Sequence, residues 1–397
     1  MSARDEVTKD AVTAALADDP VPTIARPDPI PALTGLRIFG ALWVVFFHLQ
    51  GTLYASWAGF RYLEPLLRYG YNGVPLFFIL SGYIIWHNYG RRDLLHPRAT
   101  VRFIWRRFAR LWPVNVAAQL LTVPLIWWTV TVTHYWDTPT PAWYSVGGWF
   151  QSAFMAGEVG SPYLVTFPWD QPAWTLTGEM AAYLVFPAIL ALVLVTRLHH
   201  GRHGWILIPV ALVIAYETNF FDLGHQIPYS WVINLILMFV VGVILRIAGR
   251  PLRLPQIPAV IQIAAPLAIV VSCYLGQNTL LVPLMGLWVW ALAAPSGPGV
   301  RLLSTRPFQI AGLASYSLYM LHWVLFGFGT VWAFYAAPSP AVLRVYAVVV
   351  LLIVAGASWA MWRFFESPSR GLLNRLFERV WRARPPAGVQ ASPGTDS

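Results

Sequence analysis

The stretch LTGLRIFGALWVVFFHLQGTL, Leu33 to Leu53, decides the fold. Its length matches the ~20 residues an α-helix needs to cross a bilayer. Arg37 and His48 are its only ionisable groups. Nine more apolar segments occur, at about 72–89, 111–133, 172–196, 205–221, 229–246, 257–275, 279–295, 308–332 and 341–364. The pattern predicts an all-α, polytopic membrane helix bundle of about ten transmembrane helices. Composition agrees: 57% of the 397 residues are hydrophobic and 11% are charged, against roughly 25% charged in an ordinary soluble domain. Disorder and a single soluble domain are both excluded by that balance. The 21 tryptophans suit membrane interfaces.

The basic residues orient the bundle. With the N-terminus inside, 23 of the 27 Lys and Arg residues fall on the cytoplasmic side, while loops 134–171 and 217–228 hold acids and no Lys or Arg. This alternation is the positive-inside pattern, so both termini are expected in the cytoplasm. It accounts for the net charge of +10 without nucleic acid. Residues 1–30, mixed in charge, read as a disordered cytoplasmic tail, and 371–397 as a cytoplasmic C-terminal tail that ends in Pro, Gly and Ser. Segment 142–156 reads as interfacial or re-entrant on the outer side. Cys273 is the single cysteine, so neither an intrachain disulfide nor a Cys-based zinc site is expected, and no metal-binding His spacing appears. His199, His200 and His203 read as solvated loop residues beside Arg197 and Arg202.

Charged groups at membrane depth are costly and usually face a bundle interior or water-filled cavity. Four stand out: Arg37, His48, Glu179 and His322. A rise of 1.5 Å per residue puts His48 ~22 Å, His322 ~21 Å and Glu179 ~20 Å from the cytoplasmic edge of a ~30 Å core, with Arg37 much nearer the cytosol. Thr175, Glu179 and Tyr183 share one helix face, as do Ser315, Tyr319 and His322. Two histidines and a carboxylate at one depth suit a general base with an orienting partner. A buried structural hydrogen-bond network is the alternative.

The basic stretch RFIWRRFAR (102–110) puts Arg102, Arg106 and Arg110 on one helical face with Arg107 beside it, and its aromatic residues suggest a helix lying at the inner surface. Guanidinium forks match phosphate oxygens, so the stretch fits either anionic lipid headgroups or a cytosolic phosphorylated ligand.

These motifs, taken together, resemble the acyltransferase-3 family of integral membrane O-acyltransferases. LTGLRIFGALWVVFFH (Leu33–His48) is similar to its first-helix motif, an arginine followed eleven residues later by a histidine. GVPLFFILSGYII (Gly73–Ile85), RFIWRRFARLWP (Arg102–Pro113), PAWTLTGEMAAYLVFP (Pro172–Pro187), ASYSLYMLH (Ala314–His322) and FFESPSR (Phe364–Arg370) come next, in the family's order. The resemblance implies a membrane acyltransferase domain over 31–370. It also implies transfer of an acyl group, acetyl above all, from acyl-CoA to a hydroxyl of a glycan, glycolipid or secreted metabolite. On it, His48, Glu179 and His322 are catalytic, with His48 either taking the acceptor proton or carrying the acyl group. Arg37, Arg102, Arg106, Arg107 and Arg110 bind acyl-CoA, and Trp174, Thr175, Tyr183, Ser315 and Tyr319 line the pocket. No permanently bound cofactor is implied; acyl-CoA, the acceptor and membrane lipid are the partners, and the cell membrane is the location. Thr34, Pro75 and Met180 stand where relatives often carry acids, which argues against further carboxylate roles. A transporter or exporter of a lipid-linked glycan or small molecule is the alternative function, and a non-catalytic sensor or scaffold a third.

Overall fold

A computed structural model of the protein describes residues 28–132, 144–160, 162–163, 169–196, 207–220, 228–249 and 256–382. Every predicted apolar segment is helical, and no strand occurs among the described residues. The ten long helices are α1 (Pro31–Ser56), α2 (Gly73–Tyr89), α3 (Pro97–Thr131), α4 (Trp174–Thr196), α5 (Leu207–Phe220), α6 (Ser230–Ile247), α7 (Gln256–Tyr274), α8 (Leu281–Leu292), α9 (Arg306–Ala336) and α10 (Pro340–Ala360). An eleventh, α11 (Ser367–Arg382), continues from α10 through a π-helical stretch, Met361–Glu366. Proline in the first turn opens α1, α3, α9 and α10, where its missing N–H has no intrahelical partner to lose. Prolines inside α3, α4 and α7 are of the kind that membrane helices tolerate.

Among the described residues, seven helical stretches are long and apolar enough to cross a membrane. The other three predicted spans are short: α2 has 17 residues, α5 14 and α8 12. Large apolar side chains face outward, including Val195 at 81%, Leu352 at 68% and Leu192 at 63% exposure. In water such a surface would drive aggregation; in a bilayer it meets hydrocarbon. The chain is a multi-pass, all-α membrane protein.

Residues 102–110 are helical, as the early turns of the 35-residue α3. Within the C-terminal tail the chain is helical to Arg382 and docks on the start of α3, where Trp105 stacks on Phe377. Segment 142–156 contains a short helix, Val146–Ala153. The tail at 1–27, the loop histidines 199, 200 and 203, and residues 383–397 lie outside the described residues.

Helix α1 runs through the centre, packed against α2, α9 and α10. Close backbone approach builds this core. A Cβ on Gly82 would lie 1.9 Å from the Phe239 carbonyl oxygen, and one on Gly242 2.0 Å from that of Ile79. These two glycines therefore let α2 and α6 cross with backbones in contact, the small-residue packing typical of membrane helices.

Candidate active site

Two cavities lie on either side of the buried tyrosine Tyr319, and Val74 also borders both. One, of about 390 Å³, lies toward the end at which α1, α3 and α9 begin; it is lined by Arg37, Arg107, Arg110, Arg370, Glu179 and Glu366. The other, of about 580 Å³, lies toward the opposite end and is bordered by His48, Tyr71, Asn72, Trp174, Trp231 and Asn234 among others. At the boundary, the Thr175 hydroxyl donates to the Pro172 carbonyl at 2.9 Å and meets the Tyr319 hydroxyl at 3.2 Å. Tyr319 also reaches that carbonyl, at 3.3 Å.

The two histidines singled out in the sequence touch. His322 Nε2 is 3.3 Å from His48 Nδ1, with ring centroids 5.0 Å apart. Helices α1 and α9 are brought together near their starts by Gly312, whose absent Cβ would lie 2.0 Å from the Thr34 carbonyl oxygen. From that contact His48 lies 14 residues along its helix and His322 10 along the other, ~21 and ~15 Å, and the two rings meet. His48 Nδ1 lies 2.9 Å from the Val44 carbonyl and His322 Nδ1 2.6 Å from that of Tyr319. A carbonyl only accepts, so each Nδ1 carries the proton and each Nε2 a lone pair. His322 Nε2 is thereby an acceptor facing the His48 Nδ1–H. His322 is fully buried, whereas His48 is exposed to its cavity. His48 Nε2 is the ring nitrogen of the pair left for a ligand.

Glu179 belongs to the other cavity. It accepts a hydrogen bond from Tyr183, whose hydroxyl also meets Ser81 at 3.1 Å, and it borders the space that Arg37 and Arg110 line. The layer of three ionisable groups expected from the sequence is thus a histidine pair on one side of Tyr319 and a carboxylate on the other. Ser315 is fully buried with its hydroxyl donating to the Gly312 carbonyl at 2.8 Å. It lines neither cavity.

The arginines of 102–110 divide in the same way. Arg102 and Arg106 bind Glu378 of α11, at 2.9 and 3.5 Å, while Arg107 and Arg110 line the arginine-rich cavity. Helical drift explains this. At ~100° per residue, Arg106 is ~40°, Arg110 ~80° and Arg107 ~140° round the helix from Arg102. Arg107 also donates to the Tyr89 hydroxyl at 3.2 Å and lies over that ring.

Sequence reasoning missed Glu366 and Arg370 as site residues. Glu366, 5% exposed, accepts from Ser317 at 2.7 Å, and both Glu366 and Arg370 line the arginine-rich cavity. The signal was present in FFESPSR, read only as a closing motif. The π-helical stretch ending at Glu366 rotates the facing of the turns beyond it, and such stretches often accompany functional sites. Asp170 was also missed. It is fully buried just before α4, both carboxylate oxygens lack a partner among the described residues, and its backbone N–H donates to Gln119 Oε1 at 3.1 Å. Burial pushes its carboxyl well above the usual carboxylate range. Among the described residues, no group of three His, Cys, Asp or Glu side chains is placed to hold a metal ion.

The site thus joins a cavity bordered by His48, with the buried His322 behind it, to a second cavity lined by four arginines. The comparisons with known proteins give the chain its family. Residues 30–363 match the family model described as "Acyltransferase domain", and the chain belongs to this acyltransferase-3 family. It is 24% identical over 412 residues to "Acyltransferase MdmB" of Streptomyces mycarofaciens, covering 92% of this chain and 96% of that protein. It is 27% identical over 306 residues to "Putative membrane-bound transacylase BcsY" of Komagataeibacter xylinus, covering 73% of this chain and 71% of that one. It is also 24% identical over 371 residues to a "Putative O-acetyltransferase" of Staphylococcus aureus (strain COL), covering 86% of this chain and 57% of that one. No solved structure matches. The protein is an acyltransferase that transfers groups other than aminoacyl groups.

Proposed function

We propose that the protein takes an acyl group, acetyl in the first instance, from acyl-CoA presented in the cytoplasm and moves it to an acceptor hydroxyl on the far side of the cell membrane. The observation that carries this reading is the pair of cavities flanking Tyr319, one rich in arginine and the other bordered by His48. Four guanidinium groups against two carboxylates give the first cavity an excess of positive charge, and their forks suit the phosphates of CoA. Arg37, Arg107, Arg110 and Arg370 are the donor-binding residues of this reading. Arg102 and Arg106 instead anchor α11 through Glu378.

In the chemical step His48 Nε2 takes the acceptor hydroxyl proton while the oxygen attacks the thioester carbonyl. The carbon–sulfur bond breaks, and the departing CoA sulfur takes the proton from the His48 imidazolium. That imidazolium is held through its Nδ1–H by the Val44 carbonyl and His322 Nε2. His322 thus orients the base and accepts part of its charge, in the manner of the third member of a catalytic triad. Glu179, with Tyr183, balances Arg37 and Arg110. On this reading the Tyr319 hydroxyl, which borders both cavities, turns its proton from the Pro172 carbonyl to the thioester oxygen and steadies its developing negative charge. No bound cofactor is needed.

The test uses purified protein in nanodiscs with labelled acetyl-CoA and extracts of candidate acceptors. His48→Ala should abolish label transfer while leaving the thermal melt and acetyl-CoA affinity intact. Undiminished transfer in that variant would overturn the assignment. Solute counterflow into proteoliposomes without acyl-CoA would favour the transporter reading instead.

A further inference from the structure

Helix α10 meets α1 and α9 differently along its length. Toward its start the three helices pack directly: Leu49 and Leu53 of α1, Phe326 of α9, and Ala347 and Val350 of α10 share one buried cluster. Toward its end they part, and a groove of about 530 Å³ opens between them. Its described lining shares no residue with either cavity of the active site. Small side chains leave the space: Ala311 and Ala314 of α9 and Ala355 of α10 all line it. The groove runs from Arg306, in the first turn of α9, to Leu318. At 1.5 Å per residue that stretch of helix spans ~18 Å, close to the ~15 Å of hydrocarbon in one leaflet of a ~30 Å core.

The wall dictates what fills this space. Beyond Arg306 the lining is apolar, apart from Ser358, whose hydroxyl oxygen is buried. Ordered water needs several polar partners and finds none along such a wall. Hydrocarbon loses nothing there and makes the dispersion contacts that an empty space would forgo. The mouth adds a charge. Arg306 is exposed and makes no ion pair among the described residues, and no acidic side chain lines the groove. Trp359, 46% exposed, stands at the same end, as an interfacial anchor does. That end is the one the distribution of arginines places in the cytoplasm. A guanidinium without a countercharge at headgroup level attracts an anion, and the anion that carries a hydrocarbon chain at that level is a phospholipid.

We propose that the groove is a discrete site for one anionic glycerophospholipid of the cytoplasmic leaflet. Its phosphate sits on Arg306, and one acyl chain lies along α9 between α1 and α10, filling the cleft the three helices leave. A zwitterionic headgroup would bring its cationic group to a site with no acid to receive it. The proposal is independent of the acyl-transfer reading.

The test uses the full-length protein in nanodiscs doped with a phosphatidylglycerol that carries a diazirine in one acyl chain. Illumination should label the groove-lining stretches 310–318 and 351–359. Unlabelled phosphatidylglycerol should suppress that labelling about fivefold more effectively than phosphatidylcholine, the worth of one arginine at an anionic headgroup. Arg306→Gln should abolish the preference. Ala355→Phe, which fills the groove from an exposed position, should cut labelling of 310–318 severalfold; thermal melts report whether the variants are folded. Because Arg306 is itself exposed, its substitution keeps the test decisive even where the filled variant does not fold. Labelling spread evenly over the lipid-facing helices, equal competition by the two lipids, or labelling and preference unmoved by the substitutions would overturn the proposal. A dimer in mass photometry that shields these stretches from the label would put a second copy of the chain in the groove and overturn it equally.

Discussion

The contact between His48 and His322 sets a graded expectation for substitution. His48→Ala removes the base itself, a change that costs roughly 10²- to 10⁴-fold in rate where a general base is lost. His322→Ala removes one of two acceptors on the His48 Nδ1–H, since the Val44 carbonyl at 2.9 Å remains. A hydrogen bond to a charged group contributes about 1.5–3 kcal/mol, which converts to a fall of roughly 10- to 150-fold in kcat. His322 is fully buried, so its truncation also opens a void. His322→Gln, which keeps volume and offers a carbonyl acceptor, should recover part of the loss. Because the two residues act as one unit, the double His48→Ala, His322→Ala variant should be no slower than His48→Ala alone. The assay is steady-state acetyl transfer in nanodiscs, with thermal melts to confirm folding. A folded His322→Ala variant as impaired as His48→Ala, or losses that multiply in the double variant, would refute the role assigned to the pair.

Charge placement sets two more expectations. Arg110→Ala and Arg370→Ala should each raise the Kd for acetyl-CoA about tenfold or more, by removing a charge-assisted phosphate contact of about 1.5–3 kcal/mol. Arg102→Ala, which breaks only a partly exposed pair with Glu378, should leave that Kd unchanged and lower stability by about 0.2–1 kcal/mol; isothermal titration and thermal melts separate the two classes. Asp170 carries the second expectation. Its folded-state carboxyl titrates above its unfolded value because burial disfavours the anion. Its contribution to stability is thus complete below about pH 4 and is lost as the pH rises toward the folded pKa. Asp170→Asn should therefore melt higher than the wild type at pH 7, with the advantage vanishing near pH 4; an unchanged difference across that range would show that the carboxyl is solvated or paired.

The helices were legible because length and apolar character alone define a membrane span. The histidine pair was legible because two similar rises, from Leu33 to His48 and from Phe308 to His322, end at one level. Depth along parallel helices is a one-dimensional quantity that a sequence carries. What it does not carry is direction across the bundle. Glu179 was assigned a similar depth, yet it faces the arginine-rich cavity, because the rotation of α4 about its axis is set by packing against α6. The same gap hid the pairing of Arg102 and Arg106 with Glu378, which lies 276 and 272 residues further along the chain. For Arg370 the motif FFESPSR marked the residue but not its direction, because a π-helical stretch changes the facing of the turns beyond it.

That division of charge gives a physical reason for a histidine, and not a carboxylate, to stand behind His48, the base of the proposed mechanism. A triad of the familiar kind would place an ionised acid beside His48, bordering a cavity whose described lining holds no cation to compensate it. In a low-dielectric interior an uncompensated carboxylate is expensive, and it either binds a proton or requires a partner. A neutral imidazole avoids the problem. His322 Nε2 accepts from the Nδ1–H of His48 while adding no net charge, and its own Nδ1–H is satisfied by the Tyr319 carbonyl. The acids that the site does contain, Glu179 and Glu366, lie on the arginine side, where four guanidinium groups offset them. Cations and acids together line one cavity and neither lines the other among the described residues, with Tyr319 between them. On the proposed mechanism His48 carries a charge only while it holds the acceptor's proton.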